Sequence, residues 1–156
     1  MKILGIDPGM AIVGYGLIEY ENDKITLETS GSIRTDKKLT DAQRLLEIAN
    51  DLSTIVEKCK PDFASIEKLF FFKNQQTIIP VAEARGVILT VLQKYNIPFA
   101  EYTPLEVKQV LTGYGRATKK EVEQRVKLVL NTDLPKLDDT VDAIAIAICL
   151  TRNMRG

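Results

Sequence analysis

The chain has no histidine, no tryptophan and only two cysteines among its 156 residues. Without histidine, catalytic triads and dyads built on an imidazole are excluded, and zinc could draw only on thiolates and carboxylates. Cys59 and Cys149 fit no metal-ligand spacing. We therefore expect both to be small, reduced, apolar side chains in a cytoplasmic protein.

Long hydrophobic runs are also lacking. The longest, Ala143–Leu150, is far shorter than the ~20 residues of a membrane-spanning helix. In Met1–Asp7 a carboxylate stands where a signal peptide keeps its apolar stretch, so we expect no export. With 45% hydrophobic and 27% charged residues the composition is that of a globular protein, and the length predicts one domain over residues 1–156.

Net charge is absent too, because 21 basic side chains balance 21 acidic ones. The charges are nevertheless unevenly spread. Residues 108–127 hold two acidic side chains, Glu121 and Glu123, against six basic ones, and this excess of positive charge is consistent with either a solvated helix or a phosphate-binding surface. The six are Lys108, Arg116, Lys119, Lys120, Arg125 and Lys127.

Hydrophobic periodicity and turn signals predict an α/β domain with a mixed five-stranded sheet flanked by helices, in which the first three strands are antiparallel. Three Thr-x-x-Glu/Gln capping boxes, at Thr40, Thr103 and Thr118, predict helix starts. The first strand is short and uniformly apolar, so we place it near the centre. The predicted strands are Lys2–Asp7, Ile12–Tyr20, Ile25–Arg34, Phe63–Glu67 and Ile97–Tyr102, and the helices include Gln76–Tyr95 and Asp138–Arg152.

Four carboxylates fall where chemistry could use them. Asp7 and Glu67 each end an apolar strand, and parallel neighbours would bring both to the carboxyl edge where α/β sheets bind ligands. Asp139 and Asp142 are three residues apart and share a helix face. An oxygen-only cluster suits Mg²⁺ or Mn²⁺, and two such ions can promote phosphoryl displacement.

Each acid also has a purely structural interpretation. Asp7 could belong to the turn Asp7–Gly9, Glu67 could be a surface charge at a strand end, and Asp138 or Asp139 could cap the last helix. Asp142 lies within an apolar helix, where a buried carboxylate needs a partner or a metal.

Aromatic residues cluster once, at Phe70, Phe71 and Phe72, followed by Lys73. Three consecutive rings cannot all face one core, and an exposed ring beside a cation can stack on unpaired bases. The helix Gln76–Tyr95 is apolar nearly all round, so it is either internal or covered by the sheet and a second subunit.

Taken in order, these segments resemble the RuvC family, the bacterial Holliday junction resolvases of the RNase H-like superfamily. The residues that carry the resemblance run along almost the whole chain. They are Gly5–Gly9, Gly14–Gly16, Ile66–Glu67, Phe70, Lys73–Asn74, Ala84–Val87, Val107–Gln109 and Asp139–Ala147.

The resemblance implies an RNase H-like fold, a homodimer, and metal-dependent paired nicking of four-way DNA junctions, with branch-migration proteins of the RuvA and RuvB type as partners. It implies that Asp7, Glu67, Asp139 and Asp142 hold two Mg²⁺ ions. Where some relatives carry histidine this chain has Asp139, and Asp138 is an alternative ligand. Resemblance further places Lys108 and Lys119 near the scissile phosphate and Phe70 or Phe71 against the junction, and we expect Lys73, Arg116 and Lys120 to contact DNA.

Three other functions compete. A non-catalytic module that binds junctions or RNA could share the fold, but it has no reason to gather four carboxylates against a phosphate. An actin-like ATP-binding domain also opens with a strand and Asp-x-Gly, yet needs two lobes and a longer chain. A single-strand RNA nuclease of the same superfamily would have no use for the phenylalanine cluster.

Overall fold

A computed structural model describes residues 1–69, 75–132 and 138–154 of the chain, and there it shows five strands and five helices in the predicted order. The strands are β1 (Lys2–Asp7), β2 (Ile12–Glu21), β3 (Lys24–Arg34), β4 (Phe63–Glu67) and β5 (Phe99–Tyr102). The helices are α1 (Asp41–Cys59), α2 (Gln75–Lys94), α3 (Pro104–Thr112), α4 (Lys119–Leu130) and α5 (Asp138–Asn153).

The strands form one mixed sheet in the order β3-β2-β1-β4-β5. The first three strands are antiparallel neighbours, whereas β4 runs parallel to both β1 and β5. The predicted central position of β1 is therefore confirmed, and its buried residues Ile3–Ile6 explain why its sequence does not alternate.

Helices cover both faces of the sheet and create two hydrophobic cores. On one face, α1 and α2 bury Ile48, Leu52, Ile88 and Leu92 against the strands. On the other face, α3, α4 and α5 share a core with the sheet, and Ile144 and Ile148 of α5 are fully buried in it. None of the helices within the described ranges combines the length and apolar character needed to cross a membrane.

Threonine caps begin three of the helices as predicted. At α1 the box is complete, because the Gln43 N–H donates to the Thr40 hydroxyl and the Thr40 N–H donates to the Gln43 side chain. At α3 and α4 the threonine half is observed, with the Glu106 N–H donating to Thr103 and the Glu121 N–H to Thr118. These caps satisfy N–H groups that have no partner inside the helix and so fix where each helix starts.

A predicted strand start differs from the structure, and of the two alternatives left open for the long helix, one is excluded. The fifth strand was expected from Ile97, but the Ile97 N–H donates to the carbonyl of Leu92 at the end of α2, so β5 begins only after Pro98. The long helix is not internal: α2 buries one side, including Ala84 and Ile88, while Ile79 is 67% exposed. The apolar residues of α2 thus lie on two faces of the helix. One face packs on the core of the sheet, and the other is exposed in the single chain.

Helix α5 lies very close to β1 and β2, of which β1 ends in Asp7. A Cβ added at Gly5 of β1 would stand 1.9 Å from the carbonyl oxygen of Ala143, and one added at Gly16 of β2 would stand 2.6 Å from Ile144. Gly5 and Gly16 are paired across the β1–β2 ladder. The two glycines therefore form a flat seat that lets the α5 backbone rest on the sheet.

Candidate active site

Asp7 and Glu67 end adjacent strands at one edge of the sheet. The parallel β1–β4 ladder pairs Ile6 with Ile66, and each acid is the next residue of its strand. Both acids are partly buried. Because the strands are parallel neighbours, the two carboxylates leave the sheet side by side at its carboxyl edge, where the sequence predicted them.

A cavity of about 210 Å³ opens at this edge between the sheet, α3, α4 and α5. Two carboxylates, those of Glu67 and Asp142, line it together with two ammonium groups, those of Lys108 and Lys119. The remaining lining is largely apolar and consists of Pro104, Val107, Val122, Ala145 and Ile146. A cavity with an apolar floor, two carboxylates and two ammonium groups can bind a phosphate. The ammonium groups would attract the phosphate oxygens, and the carboxylates could bind a metal cation beside it.

Lys119 stands at the first residue of α4, directly after the capping Thr118. A cation there opposes the helix dipole, which favours acidic residues in the first turn. Its Nζ lies 3.9 Å from Oδ2 of Asp142, and the two side chains are 62% and 41% exposed. Such an exposed ion pair adds little stability, and Lys119 brings a positive charge to the lining of the cavity.

Asp142 is not buried, contrary to the expectation drawn from its apolar helix. Its neighbours Val141 and Ala143 are buried, but its own side chain is 41% exposed. The difference arises because Asp142 lies near the start of α5 and lines the cavity, whereas the residues from Ala143 to Leu150 are buried. An accessible carboxylate is available to a ligand without the cost of a buried charge.

The structure describes only some of the remaining predicted residues. Arg116 and Lys120 are exposed beside Lys119, on the loop before α4 and in its first turn. Asp138 and Asp139 form the start of α5, but their side chains lie outside the described part of the structure, as do the whole residues Phe70, Phe71 and Lys73. Asp7 is outside the lining of the described cavity, next to Glu67 in the sheet.

Phosphoryl displacement at an acidic site implies a divalent cation, and the type of donor atom present is suited to such an ion. The acids at the edge offer only carboxylate oxygens, the ligands preferred by Mg²⁺ and Mn²⁺. Among the described side chains, no three acidic or cysteine residues stand close enough together to form a complete metal site. The predicted cluster of Asp7, Glu67 and Asp142 is therefore not brought together as a complete site by the described side chains, and the Asp139 side chain lies outside them.

Sequence reasoning missed Ser65, whose hydroxyl joins β4 to α5. Its Oγ donates to the carbonyl oxygen of Ile146 at 2.7 Å, and the side chain is fully buried. A signal was present in the sequence, since a small residue stands two positions before the acid in both strands, Gly5 before Asp7 and Ser65 before Glu67. Only the strand register reveals that these two residues are neighbours.

Comparison with known proteins decides the family. The sequence profile described as crossover junction endodeoxyribonuclease RuvC matches residues 3–150. The chain belongs to the RuvC family. RuvC proteins are metal-dependent nucleases, and the predicted RNase H-like fold is confirmed by their solved structures.

Individual RuvC proteins match over nearly the whole chain. The RuvC of Halothermothrix orenii is 50% identical, over 96% of this chain and 91% of its own. That of Thermosipho melanesiensis is 46% identical over 99% of both. The structure of Thermus thermophilus RuvC in complex with its Holliday junction substrate is 27% identical, has a TM-score of 0.92, and matches over 99% of this chain and 95% of that one.

Proposed function

We propose that this chain resolves four-way DNA junctions by cutting two strands at symmetry-related positions. The observation that carries the proposal is the cavity at the carboxyl edge of the sheet, where Glu67 and Asp142 face Lys108 and Lys119. Membership of the RuvC family and the fold shared with a RuvC bound to a Holliday junction support it. The products are nicks with 5′-phosphate and 3′-hydroxyl ends, ready for ligation in recombination and repair.

Four carboxylates divide the work of holding two Mg²⁺ ions. Asp7 and Glu67 supply ligands from the sheet, and Asp139 and Asp142 supply them from α5. When bound, such a pair of cations makes water nucleophilic at neutral pH and offsets the charge of the leaving 3′ oxygen. Three separate elements therefore have to meet for the site to be complete.

Lys108 and Lys119 act on the phosphate itself. Both reach the cavity from helices that follow β5, opposite the carboxylates of Glu67 and Asp142. Their ammonium groups balance the negative charge that grows on the phosphate oxygens in the transition state. They also hold the scissile strand against the carboxylates.

Lys119→Met should lower the nicking rate at saturating junction by about a hundredfold, because it removes a charge aimed at the transition state. Lys120→Met is the matched control, one residue further along the same helix and outside the cavity lining. It should weaken junction binding and leave the saturated rate within about twofold, since a phosphate contact outside the site contributes to affinity alone. Single-turnover nicking over a range of enzyme concentrations separates the two effects, and equal losses in rate would remove Lys119 from the catalytic site.

Junction binding extends beyond the cavity. Arg116 and Lys120 present exposed positive charge beside it, and we assign Lys73 and one of Phe70 and Phe71 to the crossover, where the ring stacks on an unpaired base. Contacts to phosphates make the affinity fall steeply with salt. The shape of the junction governs binding, and base preference acts at the cutting step.

Two copies of the chain are needed for symmetric cutting, and α2 provides the surface for pairing. Ile79 is 67% exposed, and at Gly86, two turns further along the helix, an added Cβ would meet nothing within 4 Å. Ile79, Ala82 and Gly86 follow the i, i+3, i+7 spacing of one helix face. A two-fold dimer through this face presents two identical sites to strands of like polarity.

Ile79→Glu should shift the dimer to monomer, raising the dissociation constant by at least about tenfold, because it places a charge in an apolar interface. Leu128→Glu is the control: Leu128 is 72% exposed on α4, on the other side of the molecule from the α2 face. Sedimentation equilibrium with thermal unfolding separates association from folding. Equal effects of the two variants on association would refute pairing through α2.

The assay that tests the function compares a four-way junction with duplex DNA, single-stranded DNA and RNA in the presence of Mg²⁺. We expect paired, symmetric nicks on the junction alone. Preferential cutting of single-stranded RNA would favour the RNA nuclease of the same superfamily, and binding without cutting would favour a non-catalytic module. In the cell we place the enzyme in the cytoplasm, acting with branch-migration proteins of the RuvA and RuvB type.

A further inference from the structure

One buried hydrogen bond crosses from the sheet to α5 directly below the cavity. Ser65 lies in β4 with its hydroxyl fully enclosed, and Oγ donates to the carbonyl oxygen of Ile146 at 2.7 Å. A carbonyl inside a helix has a second lone pair, so it accepts this bond in addition to the one within the helix. The hydroxyl thus fixes one point of α5 to one point of β4.

Each strand of the sheet has a small residue at the level of this bond. The register places one row across the sheet at the level of Ser65. From β3 to β5 its members are Ser30, Gly16, Gly5, Ser65 and Ala100. This small-residue row lets α5 approach until its backbone touches Gly5, as the 1.9 Å from an added Cβ to the Ala143 oxygen shows. Such a surface permits close packing, but its glycine and alanine members offer no side-chain hydrogen bond to α5.

The row stands two residues before the acids. Side chains two positions apart in a strand point to the same face, so Asp7 and Glu67 share the α5 side of the sheet with Gly5 and Ser65. On the helix, Asp142 precedes Ile146 by about one turn. Asp142, Ile146 and Glu67 all line the cavity. The Ser65 bond therefore joins the strand that carries Glu67 to the helix that carries Asp142, about one turn from Asp142.

We propose that Ser65 is a positioning residue, whose hydroxyl sets the separation between the carboxylate of Glu67 and that of Asp142 and thereby the affinity of the site for divalent cations. The inference rests on the proposed metal site and assigns to Ser65 no contact with metal or DNA. The small-residue row determines how close α5 comes to the sheet. The directional bond from Ser65 determines where along the sheet it stops.

The test compares two deletions of a buried hydroxyl. Ser65→Ala removes the link between β4 and α5. Thr151→Val removes a bond of the same 2.7 Å length, donated by another fully buried hydroxyl to the α5 carbonyl of Ile148, but within the helix and away from the acids. Binding of Mn²⁺ to the protein without DNA is followed by the electron paramagnetic resonance of the free ion. Nicking of saturating junction is titrated with Mg²⁺, and thermal unfolding reports folding.

Ser65→Ala should raise the midpoint of both metal titrations by about tenfold, the usual effect of removing a group that orients a metal ligand. Thr151→Val should leave both midpoints at the wild-type value, and junction affinity in EDTA should be unchanged in both variants. Ser65→Cys keeps a side chain of similar size with a weak donor, and it should shift the midpoints in the same direction if alanine prevents folding.

Wild-type midpoints in a folded Ser65 variant would overturn the positioning role while leaving the nuclease assignment intact. Equal shifts in the Ser65 and Thr151 variants would overturn it too, since a general loss of stability would then explain both. If the wild-type chain itself bound no Mn²⁺ and cut no junction, the proposed metal site would fail instead. The two failures are therefore distinguishable.

Discussion

Asp7→Asn should bind a four-way junction with wild-type affinity and leave it uncut. The substitution keeps the shape of the side chain but removes the charge that, in the proposed site, would hold a cation at the end of the central strand. Because bound cations supply several kcal/mol of transition-state stabilisation, we expect the nicking rate to fall by at least about a thousandfold. Single-turnover cleavage with Mg²⁺ measures the rate, and a band-shift assay in EDTA measures binding.

Asp62→Asn is the matched control for that result. Asp62 precedes β4 at the opposite end from Glu67, where its carboxylate accepts the Lys2 N–H at 2.8 Å. An asparagine oxygen can accept the same bond, so cutting and binding should both stay at wild-type levels. Retained cutting by Asp7→Asn would remove that residue from the site and with it the arrangement proposed around the sheet edge.

Gly5→Ala should lower the free energy of unfolding by at least about 3 kcal/mol, at the upper end of what overpacking costs. The reason is that the added methyl would meet a backbone oxygen at 1.9 Å, which no side-chain rotation can relieve. Gly86→Ala provides the comparison, because an added Cβ there meets nothing within 4 Å. In the helix of a single protomer that change is expected to stabilise by up to about 1 kcal/mol, so both variants are compared at concentrations where the chain is monomeric.

Urea denaturation of the wild-type chain and of the two alanine variants measures the change in the free energy of unfolding caused by each substitution. Opposite signs would establish that the position of α5, and not glycine content, governs the stability of the fold. A Gly5→Ala chain as stable as the wild type would mean that α5 can move away from the sheet at little cost. The close contact between α5 and Gly5 would then contribute little to stability.

Much of the fold could be predicted because its local signals agree. β1 and β4 begin and end where predicted, since each is a short apolar run that ends at an acid. Helix α1 starts at its capping box and ends before Pro61, as its apolar spacing indicates. Local chemistry therefore determined element identity, and the run of apolar residues in β1 indicated its central place.

What could not be predicted depends on contacts distant in sequence. In the sequence, Ser65 is an ordinary polar residue of a strand. Only the strand register shows that it lies beside Gly5, and only the structure shows its hydrogen bond to the carbonyl of Ile146. The partial exposure of Asp142 follows from the cavity that opens beside the start of α5, and helical periodicity in an almost wholly apolar segment does not indicate where such a cavity lies. The extent of β5 was decided by a hydrogen bond from Ile97 back to α2.

Asp7 and Glu67 lie on strands of the first half of the chain, whereas Asp142 lies on the last helix, so the proposed site draws on distant parts of the sequence. During synthesis, the carboxylates of that proposed site would come together only after α5 has docked on Gly5 and Gly16. A chain that ended before α5 would keep the sheet edge with Asp7 and Glu67 but would lack the carboxylate of Asp142.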